Sequence, residues 1–128
     1  MTKRKKISLE YEIKSSPNIL FNYISTPSGL SEWFSDNVNV KSNHYTFFWE
    51  GEERTAEIMK KVNGKNIRLR WDDFEDEEEY FELEIKQDDI TGDVALVITD
   101  FIHESDEEEI AMLWENQVNQ LRAAIGAY

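Results

Sequence analysis

The chain has 128 residues, which allows one domain that buries roughly two-thirds of the surface exposed by its unfolded form. It contains no cysteine, so disulfides, thiolate nucleophiles and zinc–thiolate sites are excluded together. Acidic residues outnumber basic ones 27 to 14 and the formal net charge is −13, which argues against nucleic acid and anionic membrane as partners and favours solubility.

The basic run Lys3-Arg4-Lys5-Lys6 resembles the start of a signal peptide, but no apolar stretch follows it. Instead Ile7, Leu9, Tyr11 and Ile13 alternate with Ser8, Glu10 and Glu12, the pattern of a half-buried strand. Nothing approaches the apolar length that spans a bilayer, and the expectation is a soluble, cytoplasmic protein.

Ser15-Ser16-Pro17 ends this strand, and Ser16 with Pro17 supplies a cap and a first helical residue. Leu20, Tyr23 and Ile24 lie on one side of the helix that follows. Thr26-Pro27 repeats the start signal, so a second short helix is expected to carry Leu30, Trp33 and Phe34. The period then becomes twofold. Val38 and Val40 predict a strand, Ser42-Asn43 a turn, and Tyr45, Phe47 and Trp49 one face of the next strand. Glu50-Gly51-Glu52 and Asn63-Gly64 are hairpin signals, flanking a strand with Ala56, Ile58 and Val62. Ile67, Leu69 and Trp71 alternate with Arg68 and Arg70, and Phe81, Leu83 and Ile85 with Glu82, Glu84 and Lys86. Val94 to Ile102 is more evenly apolar, as in a strand covered on both faces. No helix intervenes to return the chain for parallel pairing, so the strands form an antiparallel meander.

Ser105 and Glu108 have capping-box spacing, with Asp106 to Glu109 at the positive end of the last helix. Ile110, Leu113, Trp114, Val118, Leu121 and Ile125 then form an apolar stripe, and Gly126 ends it. Such a stripe needs a large apolar surface to cover it, and the sheet is the one available.

Three segments carry a family resemblance: Ser16-Pro17-Asn18-Ile19-Leu20-Phe21-Asn22-Tyr23-Ile24, Thr26-Pro27-Ser28-Gly29-Leu30-Ser31-Glu32-Trp33-Phe34, and Leu113-Trp114-Glu115-Asn116-Gln117-Val118-Asn119-Gln120-Leu121. With the element order, they resemble the START-like (helix-grip) superfamily, and within it the domains similar to the activator of the ninety-kilodalton heat-shock chaperone ATPase. The resemblance implies one α+β domain over residues 1–128. A curved antiparallel sheet of about six or seven strands would grip a long C-terminal helix, with two short helices after the first strand. It also implies an apolar cavity between sheet and helix. The segment after Trp33 lacks the Gly/Pro-rich stretch often seen in such domains.

The candidate ligand-binding residues are Phe47, Trp49, Trp71, Phe81, Leu83, Asp100, Trp114 and Val118. The aromatic residues fall on inward faces, which suits a pocket and a filled core alike. Asp100 interrupts the run Val94–Ile102 on the face of Val94, Leu96 and Ile98. It could orient a ligand hydroxyl, act as a base if burial raised its pKa, or mark the strand's emergence into solvent. Arg68 and Arg70 are expected outside, paired with Glu82 or Glu84.

His44 and His103 are the only histidines, at strand ends, without a motif that pairs either with a nucleophile. No catalytic residue, metal ligand or cofactor is expected. The run Asp72-Asp73-Phe74-Glu75-Asp76-Glu77-Glu78-Glu79 lacks calcium-loop spacing and reads as a solvated loop, or as a contact for a basic protein partner. The expectation is therefore a binding domain for a small apolar or amphipathic molecule. The alternatives are a protein-interaction module and, behind it, a cyclase- or hydrolase-type enzyme using Asp100 or a histidine. A monomer and a homodimer both fit.

Overall fold

In the computed structural model, which describes residues 4–126, the alternating segments build seven strands: β1 (Lys5–Glu12), β2 (Asn37–Lys41), β3 (His44–Trp49), β4 (Glu52–Val62), β5 (Asn66–Trp71), β6 (Phe81–Gln87) and β7 (Val94–Ile102). They form one antiparallel sheet in the order β1-β7-β6-β5-β4-β3-β2. β2 to β7 is a meander of consecutive neighbours, and β1 joins it beside the last strand, Lys5 opposite Ile102 and Glu12 opposite Ala95. The register between β4 and β5 shifts at Ile58/Lys60, leaving Met59 as the extra, exposed residue of a bulge. Such a bulge sharpens the local bend and twist.

The short helices α1 (Pro17–Ser25) and α2 (Pro27–Leu30) begin as their sequences predict. The Ser16 hydroxyl accepts from the Ile19 N–H at 3.2 Å, and that of Thr26 from the Gly29 N–H at 2.9 Å. α2 is shorter than expected, and Trp33 and Phe34 lie in the turn after it rather than on a helix face.

The long helix α3 (Glu107–Ile125) ends at Gly126 in the left-handed region, φ 83°. Its start corrects the capping-box expectation. A 3-10 turn over Glu104–Asp106 precedes it, closed by the Asp106 N–H donating to the His103 carbonyl at 2.9 Å. The turn moves the cap position from Ser105 to Asp106, which makes no side-chain cap bond. The apolar stripe is also narrower than expected. Trp114, Val118 and Leu121 are buried and Ile110 and Ile125 partly so, but Leu113 is 52% exposed because it faces the open end of the concavity. Burying each of the three central side chains stabilises by roughly 2 kcal/mol.

Between sheet and helices, Leu20, Ile24, Phe47, Ile67, Leu69, Phe81, Leu83, Leu96, Ile98 and Val118 are almost fully excluded from solvent. The architecture is the expected α+β helix-grip, a curved antiparallel sheet around a long C-terminal helix. No helix of the described residues is long and apolar enough to cross a membrane.

Candidate binding groove beside the C-terminal helix

After α2 the backbone tightens into a turn, where the N–H groups of Phe34 and Ser35 both donate to the Leu30 carbonyl, at 2.9 and 3.2 Å. The Trp33 indole N–H donates to the Tyr23 carbonyl at 2.8 Å, fixing the turn against α1. Phe34 is thereby directed into the concavity, where it is 4% exposed. Its ring stacks with Phe81 at 5.8 Å and Trp114 at 5.7 Å between centroids, and meets Phe47 edge-on at 4.9 Å. The Phe34 carbonyl accepts from the Trp49 indole N–H at 2.9 Å and from the Gln117 amide at 3.0 Å. One residue therefore links turn, sheet and helix, and its ring occupies the middle of the aromatic core.

A groove of about 670 Å³ remains in front of this ring. Its apolar lining comes from Trp33, Phe34, Trp49, Trp71, Ile110, Leu113 and Trp114, and its polar lining includes Asp36, Glu52, Arg54, Asp100 and Gln117. Exposed residues such as Glu32, Glu52 and Leu113 form its rim, so it opens to solvent. On its wall Asp100 accepts the Trp114 indole N–H at 2.9 Å through one oxygen and the Phe101 N–H at 2.9 Å through the other. Burial pushes the Asp100 pKa above the ordinary carboxylate value, against the pull of these two bonds and of the Arg54 and Arg4 charges. Across the groove the Arg54 guanidinium lies 4.0 Å from the Trp71 ring centroid and donates to both oxygens of Asp73, at 2.8 and 3.1 Å.

Of the eight residues singled out from sequence, Trp49, Trp71, Asp100 and Trp114 come together on this groove. Phe47, Phe81, Leu83 and Val118 do not line it; they pack behind it at 0–1% exposure. The rest of the lining, including Phe34, Asp36, Glu52, Arg54, Leu113 and Gln117, is not among those eight. Leu113 and Ile110 were legible as apolar helix residues, but the path of the turn that delivers Phe34 has no periodicity to reveal it.

Outside the groove, Arg68 pairs with Glu82 at 2.9 Å as expected, but Glu82 is buried rather than on the surface, and Arg70 donates to the Phe74 carbonyl at 2.7 Å. His103 is exposed, and His44 lies 3.9 Å from Asp72. Among the described residues no group of three or more His, Asp or Glu is arranged to hold a metal ion. The acidic loop is only partly solvated, because two of its residues are buried. Phe74 packs into the core, and the Glu79 carboxylate accepts from the Arg4 backbone N–H at 3.1 Å and its guanidinium at 2.8 Å. Arg4 also lies 4.0 Å over the Phe74 ring.

A sequence profile described as the START-like superfamily domain matches residues 1–127. The solution structure of a Bacteroides fragilis protein, a structural-genomics target, is 39% identical, with 99% of this chain and 94% of that one covered and a TM-score of 0.68. At 16% identity, the solution structure of the Aha1 dimer from Colwellia psychrerythraea superposes with a TM-score of 0.74 over 94% of this chain and 95% of that one. The AHSA1-like protein from Aeromonas hydrophila does so at 11% identity with a TM-score of 0.75, over 95% and 92% of the two chains. The last two likenesses are of fold alone. No curated protein matches the chain.

Proposed function

The chain belongs to the START-like superfamily, and from that premise we propose that it is a non-enzymatic binding domain whose groove takes a small apolar or amphipathic molecule. One observation carries this reading: a groove of about 670 Å³ in which Trp49, Trp71 and Trp114 converge with a polar group, Asp100. Small-ligand sites typically combine an apolar concavity of roughly 300–1,000 Å³ with a few placed polar atoms. Because Phe34 fills the space behind, the ligand sits at the mouth, against Trp49, Ile110 and Leu113, rather than enclosed between sheet and helix.

Native mass spectrometry of freshly purified protein, combined with a tryptophan-fluorescence titration using n-octanol, tests this. Octanol is expected to perturb the fluorescence, and Leu113→Glu, at an exposed position, to abolish the response with an unchanged Tm. An unperturbed fluorescence and no co-purified small molecule would sink the proposal.

A second reading, a protein-interaction module, is favoured by the acidic loop. Asp72, Asp73, Glu75, Glu77 and Glu78 are exposed on a segment anchored by Phe74 and Glu79, so the carboxylates are presented from a fixed support. A salt-sensitive partner recovered by pull-down, and lost when Glu75, Glu77 and Glu78 are changed to Gln, is the outcome this reading requires.

A further inference from the structure

The lining of the groove holds four carboxylates, Glu32, Asp36, Glu52 and Asp100, and one cationic side chain, Arg54. Arg54 is paired with Asp73 through two bonds and sits flat against Trp71. One of the five charges is thus already partnered, although it still acts on Asp100. None of the four carboxylates forms an ion pair among the described residues. Their field therefore acts on whatever enters, and the apolar walls reduce its screening. Between them stands the partly exposed indole of Trp49, and such rings attract cations through the negative part of the aromatic quadrupole. Trp71 and Trp114 are buried, stacked on Phe81 and Phe34 respectively. The guanidinium on Trp71 is an instance of that attraction within the chain itself.

Each class of ligand meets this surface differently. An anion would meet four like charges against one cation that is already paired with Asp73. A neutral amphiphile would gain only the apolar contact. A cation on an apolar body gains the apolar contact, the Trp49 indole and the carboxylates together, and it also offsets the cost of keeping Asp100 partly desolvated.

We infer that the ligand of this groove is an organic cation, an alkyl or aryl ammonium, whose apolar part lies on Leu113, Ile110 and Trp49 and whose charge lies among the carboxylates and against the Trp49 indole. This rests on the groove being the binding site proposed above. Charge complementarity selects the occupant, and the exposed lip of Leu113 accounts for the tail.

Three probes with one tail separate the possibilities: n-octyltrimethylammonium, n-octanol and n-octanoate. Each is titrated into the full chain and followed by amide proton–nitrogen shifts, which locate the binding as well as measure it. The cation is expected to bind at the groove about tenfold more tightly than octanol, with octanoate weakest, and added salt to weaken the cation alone. The triple variant Asp36→Asn, Glu52→Gln, Asp100→Asn is expected to erase the cation's advantage. Asparagine at position 100 keeps one acceptor, for Trp114 at the expense of the Phe101 N–H, and the other two positions are exposed. An unchanged amide spectrum away from the groove checks that the fold is retained.

If octanol or octanoate binds in the groove as tightly as the cation, the charge inference fails and the binding groove stands. The same holds if the triple variant keeps the cation's advantage, or if the cation's shifts map elsewhere while octanol's stay in the groove. Silence from all three probes overturns both.

Discussion

Asp100 and Trp114 join β7 to α3 through a single 2.9 Å bond, and the carboxylate making it is partly desolvated. Because burial raises its pKa, the folded chain holds this proton more tightly than the unfolded chain does. Between the ordinary carboxylate pKa and the raised one, the native state binds more protons, so the contribution of Asp100 to stability falls as pH rises through that window and stays low above it. Asparagine cannot titrate there. The stability of Asp100→Asn minus that of the unsubstituted chain is therefore expected to rise with pH across the acid range and level off toward neutrality, in urea midpoints taken over a pH series. A difference that stays flat would refute this account. Phe34 is the other decisive residue. Removing its ring with Phe34→Ala should cost about 3–5 kcal/mol in urea unfolding, since Phe81 and Trp114 cannot both close on the void. The two residues differ in how visible they are in sequence. Asp100 shows itself as a charge breaking an apolar strand, whereas Phe34 looks like any apolar residue near a helix end. Its place is fixed by non-local hydrogen bonds, those of Trp33 to Tyr23 and of Trp49 and Gln117 to its carbonyl, together with the turn closed on the Leu30 carbonyl.

Among the elements, the α1–α2 corner has the least tolerance. A Cβ on Gly29 would stand 2.1 Å from the Asn22 carbonyl oxygen and 2.6 Å from the Tyr23 Cα, both backbone atoms. Gly29→Ala should therefore force the helices apart at a cost of about 3 kcal/mol, lowering the Tm, although alanine favours a helix by about 1 kcal/mol over glycine. The corner begins and ends on signals plain in the sequence, Ser16-Pro17 and Thr26-Pro27, because caps are local chemistry. The start of α3 was less legible. Ser105 and Glu108 have the right spacing, but the 3-10 turn at Glu104–Asp106 shifts the cap by one residue, and such a shift depends on how β7 hands the chain to the helix. The acidic loop likewise reads as uniformly solvated until Arg4, 75 residues away in sequence, is found beneath Glu79 and Phe74.

Across the whole molecule, the net charge of −13 repels itself in the compact state. Raising the concentration of a neutral salt from low ionic strength should therefore raise the Tm until the charges are screened, and a Tm that falls over that range would contradict this. The meander from β2 to β7 was legible because each hairpin is closed by neighbouring residues. The pairing of β1 with β7 joins distant parts of the chain, so no local pattern announces it. Whether the interior was hollow depended in turn on Phe34. That residue is held through its carbonyl, by Trp49 and Gln117, so these bonds survive any side chain placed there. It lies on a turn and pairs with no strand, so changing it re-registers nothing in the sheet. The free volume between sheet and helix is accordingly set by one side chain on a backbone-anchored turn, so it can be enlarged there without moving a strand, at a cost in stability.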